Sequence, residues 1–307
     1  MYKIMIIGSG FLSRHVAESF MDDGNDVIVL YYNHDIPNFS GKQLKINYSS
    51  NIKDQILEYD PDYILLSKGD SFVNDNLNII ESINNNVTPT TEILDIIYNN
   101  NLNSLKKIIL IGSAAEYSKK NSAIIETDPI FPTSIYGLSK IFLYNSAMYY
   151  INKGLPIIYV RQFNAIGPYQ RDQFVLSYFA TSLVDIERGS KPKINVGDLT
   201  CERDFIDGRD AAIAYKLLFN NGIIGDVYNI GSGVSVKVNI LLDTLISKLN
   251  YNGNIEVVSN SNKLKNNGLG NILLSNNDKL IGLGFKQKYS LDNTVEDTLN
   301  YWRNVQK

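Results

Sequence analysis

Short apolar runs separated by amphipathic stretches fill the first half of the chain, and this alternation limits the possible folds more than any other feature. The runs Ile4–Ile7, Val27–Tyr31, Leu44–Ile46, Tyr63–Leu66, Ile108–Ile111 and Ile157–Val160 are mostly apolar throughout rather than alternating with polar residues. A strand covered on one face alternates, whereas a strand covered on both faces does not. Helical patterns lie between the runs, around Ser13–Met21, Asn51–Glu58 and Thr91–Tyr98. Strands alternating with helices imply an α/β protein with a doubly wound parallel sheet. Right-handed crossovers then set the carboxyl ends of the strands, and any ligand, along one edge.

After about Gly167 the rhythm changes. A helical pattern runs from Val175 to Glu187, Pro192 precedes a short strand at Ile194–Val196, and another strand follows at Val227–Ile230. Helices are expected at Val238–Leu249 and at a C-terminal segment ending near Trp302, with a surface loop at Lys263–Ile272. The chain therefore reads as a larger domain over 1–166, with return segments near 204–232. A smaller α/β lobe is discontinuous, from 167–203 and 233–307.

The net charge of −3 provides no basic field for nucleic acid or an anionic membrane. Cys201 is the sole cysteine, and His15 and His34 lie far apart in sequence. Neither a disulfide framework nor a Cys/His zinc site fits this, and no metal is expected. No apolar run reaches the length of a membrane span. Lys3 and a short apolar stretch lead straight into Gly8-Ser9-Gly10, which reads as a first strand rather than a signal peptide. A cytoplasmic location is expected.

Gly8-Ser9-Gly10-Phe11-Leu12-Ser13 follows a strand and opens a helix, the context that a dinucleotide loop requires. Gly8 and Gly10 let the backbone turn and approach a pyrophosphate, whose charge suits the N-terminus of the helix that Phe11 and Leu12 begin. The sheet is thus of Rossmann type. Ser13 replaces the third glycine, which is expected to loosen helix–strand packing slightly. The second strand ends Leu30-Tyr31-Tyr32-Asn33-His34, with no carboxylate to accept the ribose hydroxyls of NAD; Asp35 serves only if the strand runs longer. Arg14 is placed to meet a 2′-phosphate, which favours NADP(H) over NAD(H); otherwise it lies on a solvated helix face.

Tyr136 and Lys140 are four residues apart, so on a helix they project from one face. A neighbouring ammonium favours the phenolate and makes the tyrosine a usable acid or base. Such spacings arise by chance in a chain with 20 tyrosines. Ser113 adds weight, because it ends the fifth strand, where an active-site edge belongs and a hydroxyl can bond a substrate oxygen.

These residues carry a family resemblance. The glycine-rich first turn, Gly112-Ser113-Ala114-Ala115-Glu116-Tyr117 and Tyr136-x-x-x-Lys140 resemble the extended short-chain dehydrogenase/reductase family. Pro132-x-x-x-Tyr136-Gly137-x-Ser139-Lys140, Arg161-x-Phe163-Asn164-x-x-Gly167-Pro168, Arg203-Asp204-Phe205-Ile206-Asp207 and Tyr228-Asn229-Ile230-Gly231-Ser232-Gly233 are similar to its nucleotide-sugar branch, the NAD-dependent epimerases and dehydratases. The resemblance implies a nucleotide-sugar substrate and a catalytic trio of Ser113, Tyr136 and Lys140, with Lys140 also on the nicotinamide ribose. It implies that Asn164 and Arg203 hold the substrate diphosphate, a task suited to a guanidinium. Without a ligand role, Asn164 caps a turn and Arg203 pairs with Asp204 or Asp207. For Arg209, phosphate binding and a helix-start ion pair stand level. Base contacts are placed around Lys193–Val196. Glu116 is either a substrate contact or an exposed carboxylate. The helix carrying Tyr136 and Lys140 is expected to form a homodimer interface through Phe142, Met148 and Tyr149, unless these are core.

Dehydratases of this branch need an Asp-Glu pair directly after the strand-end hydroxyl residue, and here those positions are Ala114 and Ala115. Neither can move a proton, so dehydration is disfavoured. Arg161–Gln170 with Phe174-Val175, and Val196-Gly197-Asp198-Leu199 before Glu202-Arg203-Asp204-Phe205, resemble the GDP-4-keto-6-deoxymannose reductase group. That resemblance implies reduction of a 4-keto-6-deoxyhexose. A 4-epimerase that retains NAD is the alternative, and a non-catalytic nucleotide-binding protein is a third reading.

Overall fold

In the computed structural model, which describes residues 1–47, 51–69, 78–118, 120–259 and 272–305, the apolar runs become the strands of one sheet. Strands β1 (Lys3–Ile7), β2 (Asp26–Tyr31), β3 (Lys42–Lys45), β4 (Tyr63–Leu66), β5 (Lys107–Ser113) and β6 (Ile157–Gln162) belong to it. β7 (Asn164–Ile166), β8 (Lys193–Val196) and β9 (Glu202–Asp207) lie outside it, and β10 (Val227–Ile230) returns to its edge. The order is β10-β6-β5-β4-β1-β2-β3, with every pair parallel. Chain order runs outward from β1 in both directions, so the topological switch lies between β1 and β4. Ligands of open α/β sheets bind outside the carboxyl ends at such a point.

Ten helices are described: α1 (Phe11–Asp22), α2 (Ile52–Tyr59), α3 (Ile79–Asn86), α4 (Thr88–Asn99), α5 (Ile135–Asn152), α6 (Val175–Glu187), α7 (Gly208–Asn221), α8 (Val238–Ser247), α9 (Asp278–Gly282) and α10 (Leu291–Asn304). The period of two divides each apolar strand between two layers. From β1, Ile4 and Ile6 pack with Val16, Ala17, Leu218 and Phe219 of α1 and α7. Met5 and Ile7 face the other way, toward Ile93, Leu94, Leu143 and Ala147 of α4 and α5. Each fully buried aliphatic side chain of this kind contributes roughly 1.5–3 kcal/mol.

A third core joins Leu176, Phe179 and Leu183 of α6 to Leu241 and Leu245 of α8 and Val295 and Leu299 of α10. Around it β9 pairs with β7, β11 (Ser235–Lys237) and β13 (Ile272–Leu273), while β8 pairs with β12 (Glu256–Ser259). The helix expected to reach Leu249 stops at Ser247. The one expected from Thr91 starts at Thr88, with Pro89 in the first turn, where its missing N–H costs nothing. Of the loop expected at Lys263–Ile272, residues 263–271 lie outside the described residues, and Ile272 begins β13.

His15 of α1 is buried beneath the turn after β7, its Nε2 3.4 Å from the Pro168 carbonyl oxygen. α7 begins against it at Gly208, where a Cβ would stand 2.6 Å from His15 Cδ2. Burial pulls the imidazole down from its usual 6.5 to about 4. Between these values the unfolded chain binds a proton that the folded chain does not, so stability is lost as the pH falls through that window. Denaturant unfolding should show His15 contributing about 2 kcal/mol of the stability lost from pH 7 to pH 5. A His15→Gln variant should lack that portion; an identical pH dependence in both proteins would show that His15 is not held neutral.

Candidate active site

The turn after β1 is shaped for close approach. Gly8 has φ 123°, and a Cβ there would lie 2.7 Å from Ser67 Oγ and 3.0 Å from Lys68 N. Gly10 precedes α1, brings no side chain to cap it, and a Cβ there would meet nothing within 4 Å. Open space thus lies over a helix N-terminus whose first residues are Phe11 and Leu12, a cradle that fits a pyrophosphate. Ser13 does not loosen the packing as expected. Its side chain is buried, and its Oγ lies 2.7 Å from Ser67 Oγ, tying α1 to the end of β4.

Arg14 requires a correction. It is 7% exposed, and its Nη1 donates to the Pro37 carbonyl at 2.6 Å. Its Nε is paired with Glu18 at 2.9 Å, without the alignment of a hydrogen bond, and the guanidinium stacks 3.7 Å from the centre of the Tyr169 ring. The side chain is thus not on a solvated face. It instead braces the segment after β2, which Ser9 Oγ also binds through the His34 carbonyl. β2 ends at Tyr31, so Asp35 lies outside the strand and is exposed.

Ser113 and the start of α5 meet at the carboxyl end of β5. Ser113 caps a single 3₁₀ turn, Ala114–Glu116, its Oγ accepting from Ala115 N at 3.1 Å. α5 is capped by Ser134, whose Oγ accepts from Gly137 N at 3.0 Å. Its first turn lies so close to the 3₁₀ turn that a Cβ at Gly137 would be 2.3 Å from the Ala115 carbonyl oxygen. Tyr136 is half-buried and Lys140 is buried, with Lys140 Nζ 5.6 Å from the centre of the Tyr136 ring and 3.5 Å from the Ile111 carbonyl oxygen. Ala114 and Ala115 are buried beside them.

Glu116 also requires a correction: it is fully buried and is not an exposed carboxylate. Oε1 accepts from Ser113 N and from Tyr159 Oη, both at 2.8 Å, and Oε2 is paired with Arg161 Nε at 2.8 Å. Burial pushes the Glu116 carboxyl up, and the Arg161 guanidinium opposes this. Arg161 also donates to Tyr117 Oη at 3.0 Å, and Tyr117 donates to Asn229 Oδ1 at 2.6 Å. Motif reading located Arg161, Tyr117 and Asn229 without a task for any of them. It missed Asn86 altogether, which is fully buried and donates to Ser139 Oγ at 3.1 Å, while Ser139 donates to the Tyr136 carbonyl. Asn86 ends a run of three asparagines, and nothing in that run marks which one turns inward.

The substrate-side candidates are spread over the smaller sheets. Asn164 on β7 donates to the Asp204 carbonyl at 3.1 Å, and Arg203 Nη1 on β9 donates to the Glu202 carbonyl at 2.8 Å. The carboxylates considered for Arg203 have other partners: Asp204 accepts from Ser232, Gly233 and Ser275, and Asp207 from Thr294 and Arg209. Arg209 forms the helix-start ion pair, bound to Asp207 and to Asp297 at 2.7 Å each. Lys193 is exposed on β8, paired with Glu256 at 3.3 Å beside an open hollow that includes Pro192 and Ile255. No residue of that hollow belongs to the elements carrying Ser113, Tyr136 or Lys140.

Residues 4–231 match the model of the NAD dependent epimerase/dehydratase family. The chain belongs to that family. A stretch of 116 residues is 34% identical to GDP-6-deoxy-D-mannose reductase of Pseudomonas aeruginosa, covering 37% of this chain and 38% of that reductase. The matched stretch is thus little more than a third of either protein. The fold is similar over nearly full length to that of RMD from Pseudomonas aeruginosa complexed with NADPH, with TM-score 0.79, 20% identity, and 99% and 100% of the two chains covered. It is similar also to the UDP-glucose 4-epimerase of Thermus thermophilus complexed with NAD, with TM-score 0.84, 18% identity, and 99% and 100% covered. No helix among the described residues is long and apolar enough to cross a membrane.

The contact at Gly137 has a measurable consequence. Gly137→Ala forces a methyl group against the Ala115 carbonyl, and overpacking of this kind costs about 1–3 kcal/mol. Chemical denaturation should register that loss. Stability unchanged or raised, as helix propensity alone would predict for Gly to Ala, would refute the close approach.

Proposed function

We propose that this protein reduces the 4-keto group of a nucleotide-linked 6-deoxyhexulose at the expense of NAD(P)H. The observation that carries the reading is the grouping of Ser113, Tyr136 and Lys140 at the carboxyl end of β5, beside two buried alanines where a dehydratase needs proton carriers. The cradle over Gly10, with Phe11 and Leu12, would hold the pyrophosphate, and Lys140 the nicotinamide ribose. A nicotinamide held there would supply the hydride for C4. Tyr136 acts as general acid and delivers its phenolic proton to the C4 oxygen, the Lys140 ammonium favouring the phenolate left behind. Ser113 donates a hydrogen bond to that oxygen as charge develops on it.

Asn164 and Arg203 are assigned to the diphosphate and Lys193–Val196 to the base, which places the substrate between the end of the larger domain at Asn164 and the lobe of 167–203 and 233–307. NADPH is favoured by the tip of β2, where Tyr31-Tyr32-Asn33 stands in place of a carboxylate. A homodimer through α5 is also proposed, since Phe142 and Tyr149 are exposed on it. Segmental identity to a GDP-6-deoxy-D-mannose reductase supports reduction over epimerisation.

Two measurements test this. Mass spectrometry of the cofactor released from fresh protein should find no tightly retained NAD, and NADPH should be consumed with a nucleotide-linked 4-keto-6-deoxyhexose. Tyr136→Phe should lower that rate about 10²- to 10⁴-fold. Retained NAD with no net oxidation would replace the reductase by a 4-epimerase. Equal rates for Tyr136→Phe and wild type would remove Tyr136 from the chemistry.

A further inference from the structure

Glu116 and Arg161 form a fully buried ion pair that takes no part in the chemistry assigned above, and nothing in the motif requires a carboxylate there. Three donors converge on the two carboxylate oxygens: Ser113 N and Tyr159 Oη on Oε1, and Arg161 Nε on Oε2. Tyr159 Oη lies 3.2 Å from the main-chain oxygen of Lys140 as well. One carboxylate is therefore linked to the strand end that carries the serine and, through one phenol, to the helical turn that carries the lysine. The region is tightly filled, since a Cβ at Gly112 would stand 2.3 Å from Tyr159 Oη and 2.4 Å from Glu116 Oε1. Arg161 is fixed in turn, its guanidinium 4.5 Å from the centre of the Tyr117 ring and 4.9 Å from that of Tyr144.

A buried ion pair is weak as a source of stability, because desolvation offsets the attraction and an apolar pair of similar volume often folds as well. Its geometry, by contrast, is directional: Oε1 accepts from the main chain of Ser113 and from Tyr159, whose Oη also lies against the Lys140 carbonyl, while Arg161 holds Oε2. We propose that Glu116, clamped by Arg161, is a positioning residue that sets the spacing between Ser113 and Lys140. The role of that spacing in catalysis rests on the reductase reading above; the clamp itself does not. The carboxylate is fully buried, with both oxygens taken by protein donors. Removing it moves the reacting groups without removing a binding contact, so the effect falls on kcat.

Glu116→Gln is nearly isosteric, but its amide cannot satisfy both sides. If the amide oxygen faces Ser113 N, the amide NH₂ opposes Arg161; reversed, it opposes Ser113 N–H. The expected result is a fall in kcat of about 10- to 100-fold, as misplacement by an ångström produces, with KM and cofactor Kd changed less than about threefold. The double variant Glu116→Leu/Arg161→Met should regain the thermal midpoint of the wild type without regaining kcat. If kcat instead follows the midpoint across these variants, or Glu116→Gln turns over like wild type, the pair is only structural and the proposal fails. Amide exchange is read on the same proteins over residues 111–117 and 135–142. Should the wild type reduce no 4-keto sugar, the reaction is misassigned, and exchange alone decides the clamp. Faster exchange of both segments in Glu116→Gln upholds it, and unchanged exchange overturns it.

Discussion

The approach of α5 to the end of β5 is the constraint on which the rest of this site depends. A strand buried on both faces can end only in a turn that satisfies its last backbone groups, and Ser113 and Glu116 do so as a capping box. That turn then becomes the surface on which α5 lands. Because residue 137 is glycine, the helix settles directly on the Ala115 carbonyl, which brings residues 136 and 140 over the strand end. The helix is held there from the other side by Asn86 through Ser139. Proximity of the trio is thus a result of main-chain packing, with the side chains added to a fixed frame.

The main sheet and the third core are joined by polar and aromatic contacts rather than by continuous apolar packing. Tyr169 stacks on Arg14 from α1 and lies edge-on to Tyr301 of α10, at 4.8 Å between ring centres. Arg209 on α7 binds Asp297 of α10, and Asp210 accepts from the main chain of Lys288 and Tyr289. These contacts anchor the third core to the helices that cover the main sheet, leaving the strand ends as the common boundary. Asp204 is a similar anchor: one carboxylate collects the chain after β10 and the segment at Ser275.

What was legible in the residues follows from the range of the forces involved. The central strands of the main sheet are local patterns, because burial on both faces makes them almost wholly apolar, and each expected run lies within a residue or two of a strand. The glycine turn and the Tyr136–Lys140 spacing are legible for the same reason. Glu116 was not, since its partner Arg161 is 45 residues away and only the β5–β6 pairing brings them together. Arg14 misled in the same manner: a cation near a nucleotide loop is ambiguous until the carbonyls of 37 and 38 and the ring of Tyr169 are seen to occupy it. Ser13 looked like a loss of fit and is a hydrogen bond to Ser67, a residue that no local window includes.

The commitment of Arg14 bears on how a cofactor is selected. The segment after β2 is where an adenosine ribose is distinguished in folds of this type, by a carboxylate or a cation. Here that segment is held from two points: Ser9 of the glycine turn at the His34 carbonyl and Arg14 of α1 at Pro37 and Asn38. Both anchors bind main-chain oxygens, so they hold the shape of the segment whatever side chains it carries. With the nearest guanidinium used in this way and no acid at the strand tip, neither of the usual charged discriminators is available from α1 or β2. What the segment leaves exposed is the stretch 33–35, on a backbone that Ser9 and Arg14 hold in place. Arg14 also connects the segment to Tyr169, which lies edge-on to Tyr301 of α10, so that the segment after β2 and the third core share one arginine.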